Sequence, residues 1–145
     1  TYAIGRIEPD FFEKGRNGRF FRIPVYSNTK LALLLFTQEL AERLQNQGIT
    51  INASDPGIVS TNMITMQAWF DPLTDILFRP FIKTPAQGAA TAIHLALSDE
   101  AKDRNGCCYA NCKKKNMSER IRHHAQQKQL WDDTEILLRQ KGIRF

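Results

Sequence analysis

Tyr26 and Lys30 are the two residues of this sequence whose types and spacing most clearly suggest chemistry. Positions i and i+4 lie on one face of a helix, so the phenol and the ammonium would be neighbours there. A nearby cation favours the ionised phenol, which makes the hydroxyl a usable donor and acceptor of a proton. Such a pair suits carbonyl reduction beside a hydride source. The alternative is an ordinary helical pair, because two residues at this spacing match many helices by chance.

The elements that position this pair must come from a chain of 145 residues, of which 42% are hydrophobic and 24% are charged. That length fits one domain, and the composition is typical of a soluble globular protein. No apolar run approaches the roughly 18 residues that a membrane span needs, so we expect no transmembrane segment. The cysteines are few and crowded together, at Cys107, Cys108 and Cys112. This usage suits a cytoplasmic protein, with peripheral membrane association as an alternative.

A helix is predicted over residues 24–47, with Tyr26 and Lys30 in its first turns. Leucines recur there at three- and four-residue spacing, at Leu31, Leu34, Leu35, Leu40 and Leu44. Pro24 near the start and Gly48 after the end are typical of helix boundaries. The leucine pattern is two-sided, which would allow this helix to form a homodimer interface.

Two short strands are predicted around a second helix. Residues 49–53 are short, β-branched and bounded by glycine and proline, which is typical of a buried strand, and residues 106–110 form the second strand. The connection between them includes a helix from the cap Thr84 through Pro85 to Asp99, so the strands are predicted to be parallel. A final helix begins at Ser118 and Glu119.

This order of elements predicts an α/β fold with a doubly wound parallel sheet. Parallel strands require cover on both faces. Two strands alone do not make a complete doubly wound sheet. We therefore expect the chain to be the C-terminal portion of a larger domain. Residues 1–23 are predicted to be a long loop, and residues 58–83 an apolar loop with short helical pieces.

Several segments follow one another in a recognisable order. They are the YxxxK motif from Tyr26 to Lys30, a helix ending in glycine, the strand "ITINASDPG" and the turn "PGIVST". This succession resembles the short-chain dehydrogenase/reductase family. The later segments "KTPAQGAATAIHLALS", "GCCYANCK" and "LWDDTEILL" are similar to the next helix, last strand and C-terminal helix of its retinol-dehydrogenase-like branch. The resemblance covers about residues 20–140 and implies part of a single NAD(P)-binding, Rossmann-like domain.

The resemblance implies a role for individual residues. Tyr26 would be the catalytic acid and base, and Lys30 would bind the nicotinamide ribose and favour the ionised tyrosine. The nicotinamide end of an NAD or NADP cofactor would be contacted by Pro56, Gly57, Ile58, Val59 and Thr61, with Ile58 and Val59 offering backbone groups to the carboxamide. The carboxyl edge of an open α/β sheet is also where such folds bind their ligands.

The apolar loop occupies the position of the family's substrate-binding loop. Its large side chains suit a hydrophobic alcohol or carbonyl, and the candidates are Met63, Met66, Trp69 and Phe70. Packing against the rest of a larger domain is the alternative. The family's Gly-rich loop and catalytic serine precede the tyrosine in chain order, and Ser27 is not that serine. We therefore expect these 145 residues alone to be inactive.

Three other functions are weighed against this one. A net charge of +5 includes three lysines in a row, but such a run is usually a solvated turn, so no nucleic-acid partner is expected. The cysteines and histidines lack the paired spacing of a zinc site, so no metal is expected. The remaining alternative is a catalytically inactive family member that serves as an interaction protein.

Overall fold

The structure is a computed structural model that describes residues 5–8, 11–12, 22–59 and 82–143. Within these ranges it has five helices and three strands: α1 (Arg22–Arg43), β1 (Ala53–Asp55), α2 (Pro85–Leu97), α3 (Asp99–Lys102), β2 (Cys108–Ala110), β3 (Lys113–Lys114), α4 (Glu119–Arg122) and α5 (Gln127–Gln140). The described residues fall into two compact units. One is drawn from residues 1–51 and 116–145, the other from residues 52–115. Most of both predicted loops lies outside the described residues.

Helix α1 belongs to the first unit and confirms the predicted long helix. It begins at Arg22, two residues before the predicted start, and Pro24 fits there because a first turn does not need its N–H. The helix ends at Arg43 and is followed by a turn up to Gly48, whose φ of 72° glycine adopts without strain. Its buried face carries Leu31, Leu34, Leu35 and Ala41.

Helix α5 packs against α1 through an aromatic contact beside a polar network. The rings of Phe36 and Trp131 stack with centroids 4.5 Å apart, and the Arg43 guanidinium lies 4.6 Å from the Trp131 centroid. Glu39 is buried, accepts from Arg43 Nε at 2.8 Å, and accepts from Gln127 Nε2 at 3.1 Å. These donors compensate the carboxylate for the water that it loses on burial.

The prediction of one continuous final helix is wrong, because residues 123–126 interrupt it between α4 and α5. His123 leaves the helical conformation with φ −125° and ψ 55°. The backbone N–H of Gln126 donates to Nδ1 of His124 at 3.2 Å, in place of a helical carbonyl. A side chain that competes for backbone hydrogen bonds in this way ends a helix turn.

The sheet belongs to the second unit and has the strand order β1-β2-β3. Strands β1 and β2 are parallel, with Ala53 opposite Cys108, which confirms the predicted parallel pair. Strand β3 pairs with β2 in the antiparallel sense. The lysines of β3 are exposed, as predicted, but they form a two-residue strand instead of a turn. Within the described ranges, no helix combines the length and apolar character that crossing a bilayer requires.

The first strand lies later in the chain than predicted, at residues 53–55 and not at 49–53. The side chain of Asn52 explains this start. Its Oδ1 accepts from the N–H of Cys107 at 3.0 Å, and its Nδ2 donates to the carbonyl of Arg104 at 2.7 Å. The backbone ladder therefore begins only with the Ala53 N–H, which donates to the Cys107 carbonyl at 2.8 Å. The expected burial is also wrong, since Ile49 and Thr50 are exposed.

Helix α2 begins as predicted at the cap Thr84. The Thr84 hydroxyl accepts from the Gln87 N–H at 3.2 Å, while the Gln87 side chain accepts from the Thr84 N–H at 2.9 Å. This reciprocal pair is a capping box, and Pro85 at the first helical position strengthens it. The helix ends at Leu97, before the predicted Asp99, because the Ser98 hydroxyl accepts from the Glu100 N–H and caps the short helix α3.

Candidate functional site

Tyr26 and Lys30 lie together on one face of α1, as their spacing predicts. The Lys30 Nζ is 5.2 Å from the centroid of the Tyr26 ring. At this distance the cation interacts favourably with the ring. Tyr26 is 52% exposed, so its phenol is accessible to a ligand. The accessible phenol can donate or accept a proton, and an ammonium group lies on the same helix face.

The residues between this pair anchor the same turn of the helix. Ser27 is almost completely buried, which leaves Tyr26 and Lys30 on the accessible side. The Thr29 hydroxyl donates to the Tyr26 carbonyl at 2.8 Å. Asn28 Oδ1 accepts from the backbone N–H of Arg6 at 2.8 Å. The turn that carries the tyrosine is therefore fixed from within the helix and from the preceding segment.

That preceding segment lies close to α1 at Gly5. A Cβ atom built at this position would lie 2.5 Å from the Ser27 carbonyl oxygen and 2.8 Å from Leu31 Cβ. Real Cβ atoms do not come so close to backbone, so only glycine fits here without a shift of the chain. Arg120 Nη2 donates to the Gly5 carbonyl at 2.8 Å and holds the segment in place.

The turn after β1 belongs to the second unit. Gly57 has φ 77°, which favours glycine, and its N–H donates to Asp55 Oδ1 at 3.0 Å. Ile58 is 62% exposed, and the described part of this segment ends with Val59. Five other candidate site residues lie outside the described residues, namely Thr61, Met63, Met66, Trp69 and Phe70.

Lys83 contacts this turn, although no pattern in the sequence assigns it to the site. Its Nζ donates to the Pro56 carbonyl at 2.9 Å and to Asn111 Oδ1 at 2.6 Å. Its backbone N–H donates to the Ile58 carbonyl at 2.8 Å. These partners are 27 and 28 residues away in the chain, so no local spacing could have revealed them.

A cavity of about 480 Å³ adjoins these contacts in the second unit, and Lys83, Thr91, Asn111 and Cys112 contribute to its lining. Thr91 is buried, and its hydroxyl accepts from the Cys112 N–H at 3.3 Å. The three thiols form no disulfide. Across the described ranges, no group of three or more His, Cys, Asp or Glu side chains is placed to hold a metal ion.

Asp55, at the end of β1, forms an ion pair that shifts its protonation. Its Oδ2 lies 3.0 Å from Lys115 Nζ. Partial burial acts to raise the pKa of Asp55, but the Lys115 hydrogen bond and the Gly57 N–H outweigh it. The pKa of this carboxyl is consequently held below its ordinary value of 3.8.

This shift predicts a pH dependence of stability. A carboxyl with a lowered pKa in the folded state stabilises the fold at neutral pH, and that contribution is lost as the pH falls below 3.8 and through the folded-state value. Urea unfolding of the wild type and of Asp55→Asn between pH 6 and pH 2 checks this expectation. The two proteins should differ most at pH 6 and converge in acid. A difference that grew as the pH fell would contradict it.

Comparison with known proteins gives consistent matches. The family model described as short chain dehydrogenase matches residues 14–69. Retinol dehydrogenase 12 of Homo sapiens is 36% identical over 145 residues, which cover 100% of this chain and 44% of that protein. Retinol dehydrogenase 14 of Homo sapiens is 37% identical over 78% of this chain and 34% of its own length. WW domain-containing oxidoreductase of Drosophila melanogaster is 33% identical over 83% of this chain and 29% of its own length. The chain thus spans less than half the length of the curated relatives it matches.

Proposed function

The chain belongs to the short-chain dehydrogenase/reductase family and is similar to its retinol dehydrogenases, and from this premise we propose that it works in a nicotinamide-dependent oxidoreductase. The reaction is hydride transfer between NAD or NADP and a hydrophobic alcohol or carbonyl compound. The observation that carries the proposal is the accessible Tyr26 phenol with Lys30 Nζ 5.2 Å from its ring. This is the proton-exchanging group that carbonyl reduction requires.

Each described site residue has a proposed part in this reaction. Tyr26 gives its phenolic proton to the substrate oxygen during reduction and takes it back during oxidation. Lys30 binds the ribose next to the nicotinamide, on the same helix face as the phenol. The bound cofactor supplies the hydride chemistry.

The turn after β1 would hold the nicotinamide end of the cofactor. Ile58 is 62% exposed, which leaves this part of the turn accessible to such a ligand. The proposed contacts of the turn are Pro56, Gly57, Ile58, Val59 and Thr61.

The proposed substrate is hydrophobic. Two of the relatives are named for the dehydrogenation of retinol, an apolar alcohol. Large apolar side chains follow the turn in sequence, and the residues proposed to bind the substrate are Met63, Met66, Trp69 and Phe70. Such side chains are typical of sites for apolar ligands.

Titration with NADH and NADPH in parallel tests the proposal by nucleotide fluorescence. The two proteins compared are this chain and a hybrid enzyme, in which the chain replaces the matched 44% of human retinol dehydrogenase 12. We expect the hybrid enzyme to bind one of the two nucleotides and to reduce an apolar aldehyde. A hybrid enzyme that unfolds cooperatively but binds neither nucleotide would contradict the proposal and favour an inactive interaction protein.

A further inference from the structure

We propose that Lys83 is a positioning residue, which orients the turn at Pro56 and Gly57 for the nicotinamide end of the cofactor. This inference rests on the proposed function and adds to it a residue outside the turn. Lys83 lies 24 residues beyond Val59, just before the cap of α2. It would act through the backbone of the turn without touching the reacting atoms.

The side chain of Lys83 binds the first carbonyl of the turn. Its Nζ donates to the Pro56 oxygen at 2.9 Å, in a hydrogen bond strengthened by the positive charge. The end of the same side chain lies beside Gly57, where a Cβ atom would be 3.3 Å from Nζ and 3.4 Å from Cε. The end of the lysine side chain therefore lies against the turn, and its ammonium fixes the direction of the Pro56 carbonyl.

The backbone of Lys83 binds a second carbonyl of the same turn. Its N–H donates to the Ile58 oxygen at 2.8 Å, within a parallel bridge between Val59 and Lys83. In a planar trans peptide, the N–H points opposite to the carbonyl. The Ile58 carbonyl and the Val59 N–H belong to the same peptide. Because that carbonyl faces Lys83, the Val59 N–H is directed away from Lys83. One residue thus sets the orientation of two peptide planes in a segment proposed to contact the carboxamide.

A second acceptor connects Lys83 to the end of the neighbouring strand. Its Nζ donates at 2.6 Å to Oδ1 of Asn111, which follows β2 and has φ 52°. Lys83 consequently links the segments that follow β1 and β2, at the carboxyl ends of two parallel strands. This edge is where open α/β sheets bind their ligands.

The surroundings of Lys83 favour a local role over a role in global stability. The bonds from its Nζ to Pro56 and Asn111 are exposed, so water can replace the lysine as a partner of both oxygens. Exposed interactions of this kind contribute little to the stability of a fold. The same bonds still restrict the geometry of the turn, and a ligand that needs that geometry would lose affinity without them.

Ligand binding by the hybrid enzyme tests this role. Lys83→Met keeps the alkyl chain and removes the ammonium, whereas Lys102→Met makes the same change at an exposed lysine of α3. Affinity is measured for the preferred reduced nucleotide and for ADP-ribose or its 2′-phosphate, which lack nicotinamide. For Lys83→Met we expect about tenfold weaker nucleotide binding, as for the loss of a charge-assisted hydrogen bond. The affinity for the ligand without nicotinamide should change less than about twofold. Lys102→Met should change the affinity for neither ligand.

Three outcomes separate the two proposals. Equal losses for both ligands would mean that Lys83 only supports the fold, and would overturn the inference. No loss of affinity for either ligand in Lys83→Met would overturn it as well, while leaving the proposed function intact. A wild-type hybrid enzyme with no preference for that ligand would instead contradict the proposed function.

Nuclear magnetic resonance of the 145-residue chain gives a readout that does not depend on the hybrid enzyme. We expect the amide signals of residues 56–59 to shift in Lys83→Met and to stay in place in Lys102→Met. Lys83→Arg, which restores a positive donor, should return them part of the way. Signals at 56–59 that were identical in the wild type and Lys83→Met would overturn the positioning role.

Discussion

Replacing Tyr26 with phenylalanine is expected to lower the turnover of the hybrid enzyme by at least about 100-fold. The substitution removes only the hydroxyl, which is the group proposed to exchange a proton with the substrate oxygen. The ring remains, so its contact with the Lys30 ammonium is retained. Nucleotide affinity should therefore fall only modestly. Steady-state kinetics with the preferred nucleotide, combined with a binding titration, measures both effects.

The matched control for this variant is Tyr109→Phe. Tyr109 is completely buried on β2, and its hydroxyl has no hydrogen-bond partner among the described residues. Burial raises the pKa of Tyr109, and the neighbouring Cys107 adds to the effect, so this hydroxyl stays protonated. Loss of an unpaired buried hydroxyl costs little, and turnover should remain close to that of the wild type. Wild-type turnover by Tyr26→Phe would remove the tyrosine from the proposed mechanism.

Replacing Leu35 with alanine is expected to destabilise the chain by about 2–5 kcal/mol. Leu35 is completely buried on α1, so the substitution removes apolar contacts and leaves a cavity. Chains of this size are stable by only about 5–15 kcal/mol, so the loss is a large fraction of the total. The midpoint of urea unfolding, followed by circular dichroism, measures the change.

Leu33 provides a control on the same helix. It is the same residue type two positions away, but it is 59% exposed. Leu33→Ala should therefore change the free energy of unfolding by no more than about 0.5 kcal/mol. Similar losses for both variants would show that burial on α1 does not determine its contribution to stability.

Local sequence signals predicted those parts of the fold that local interactions determine. The leucine spacing predicted α1, because a helix repeats its buried face every three to four residues. The cap Thr84 and the following Pro85 predicted the start of α2, because these boundary signals are neighbours in the sequence. The pairing of Tyr26 with Lys30 on one face followed from the same helical geometry.

Long-range contacts determine the parts that the sequence did not predict. The first strand begins later than expected because Asn52 binds Cys107, which is 55 residues away. The contacts of Lys83 with Pro56 and Asn111 likewise depend on how the strands pair. The break before α5 instead has a local cause, because the N–H of Gln126 donates to Nδ1 of His124.

The first unit consists of two segments that are far apart in the chain, and this has a consequence for biosynthesis. Glu39 and Gln127, which pair across α1 and α5, are 88 residues apart. At a synthesis rate of about 5–20 residues per second, roughly 4–18 seconds pass between the appearance of these two residues. The second unit is complete in sequence before α5 is made.

During this interval, the surface of α1 that later contacts α5 is available to chaperones and to other nascent chains. The rate of translation is therefore expected to influence how much of the newly made protein aggregates.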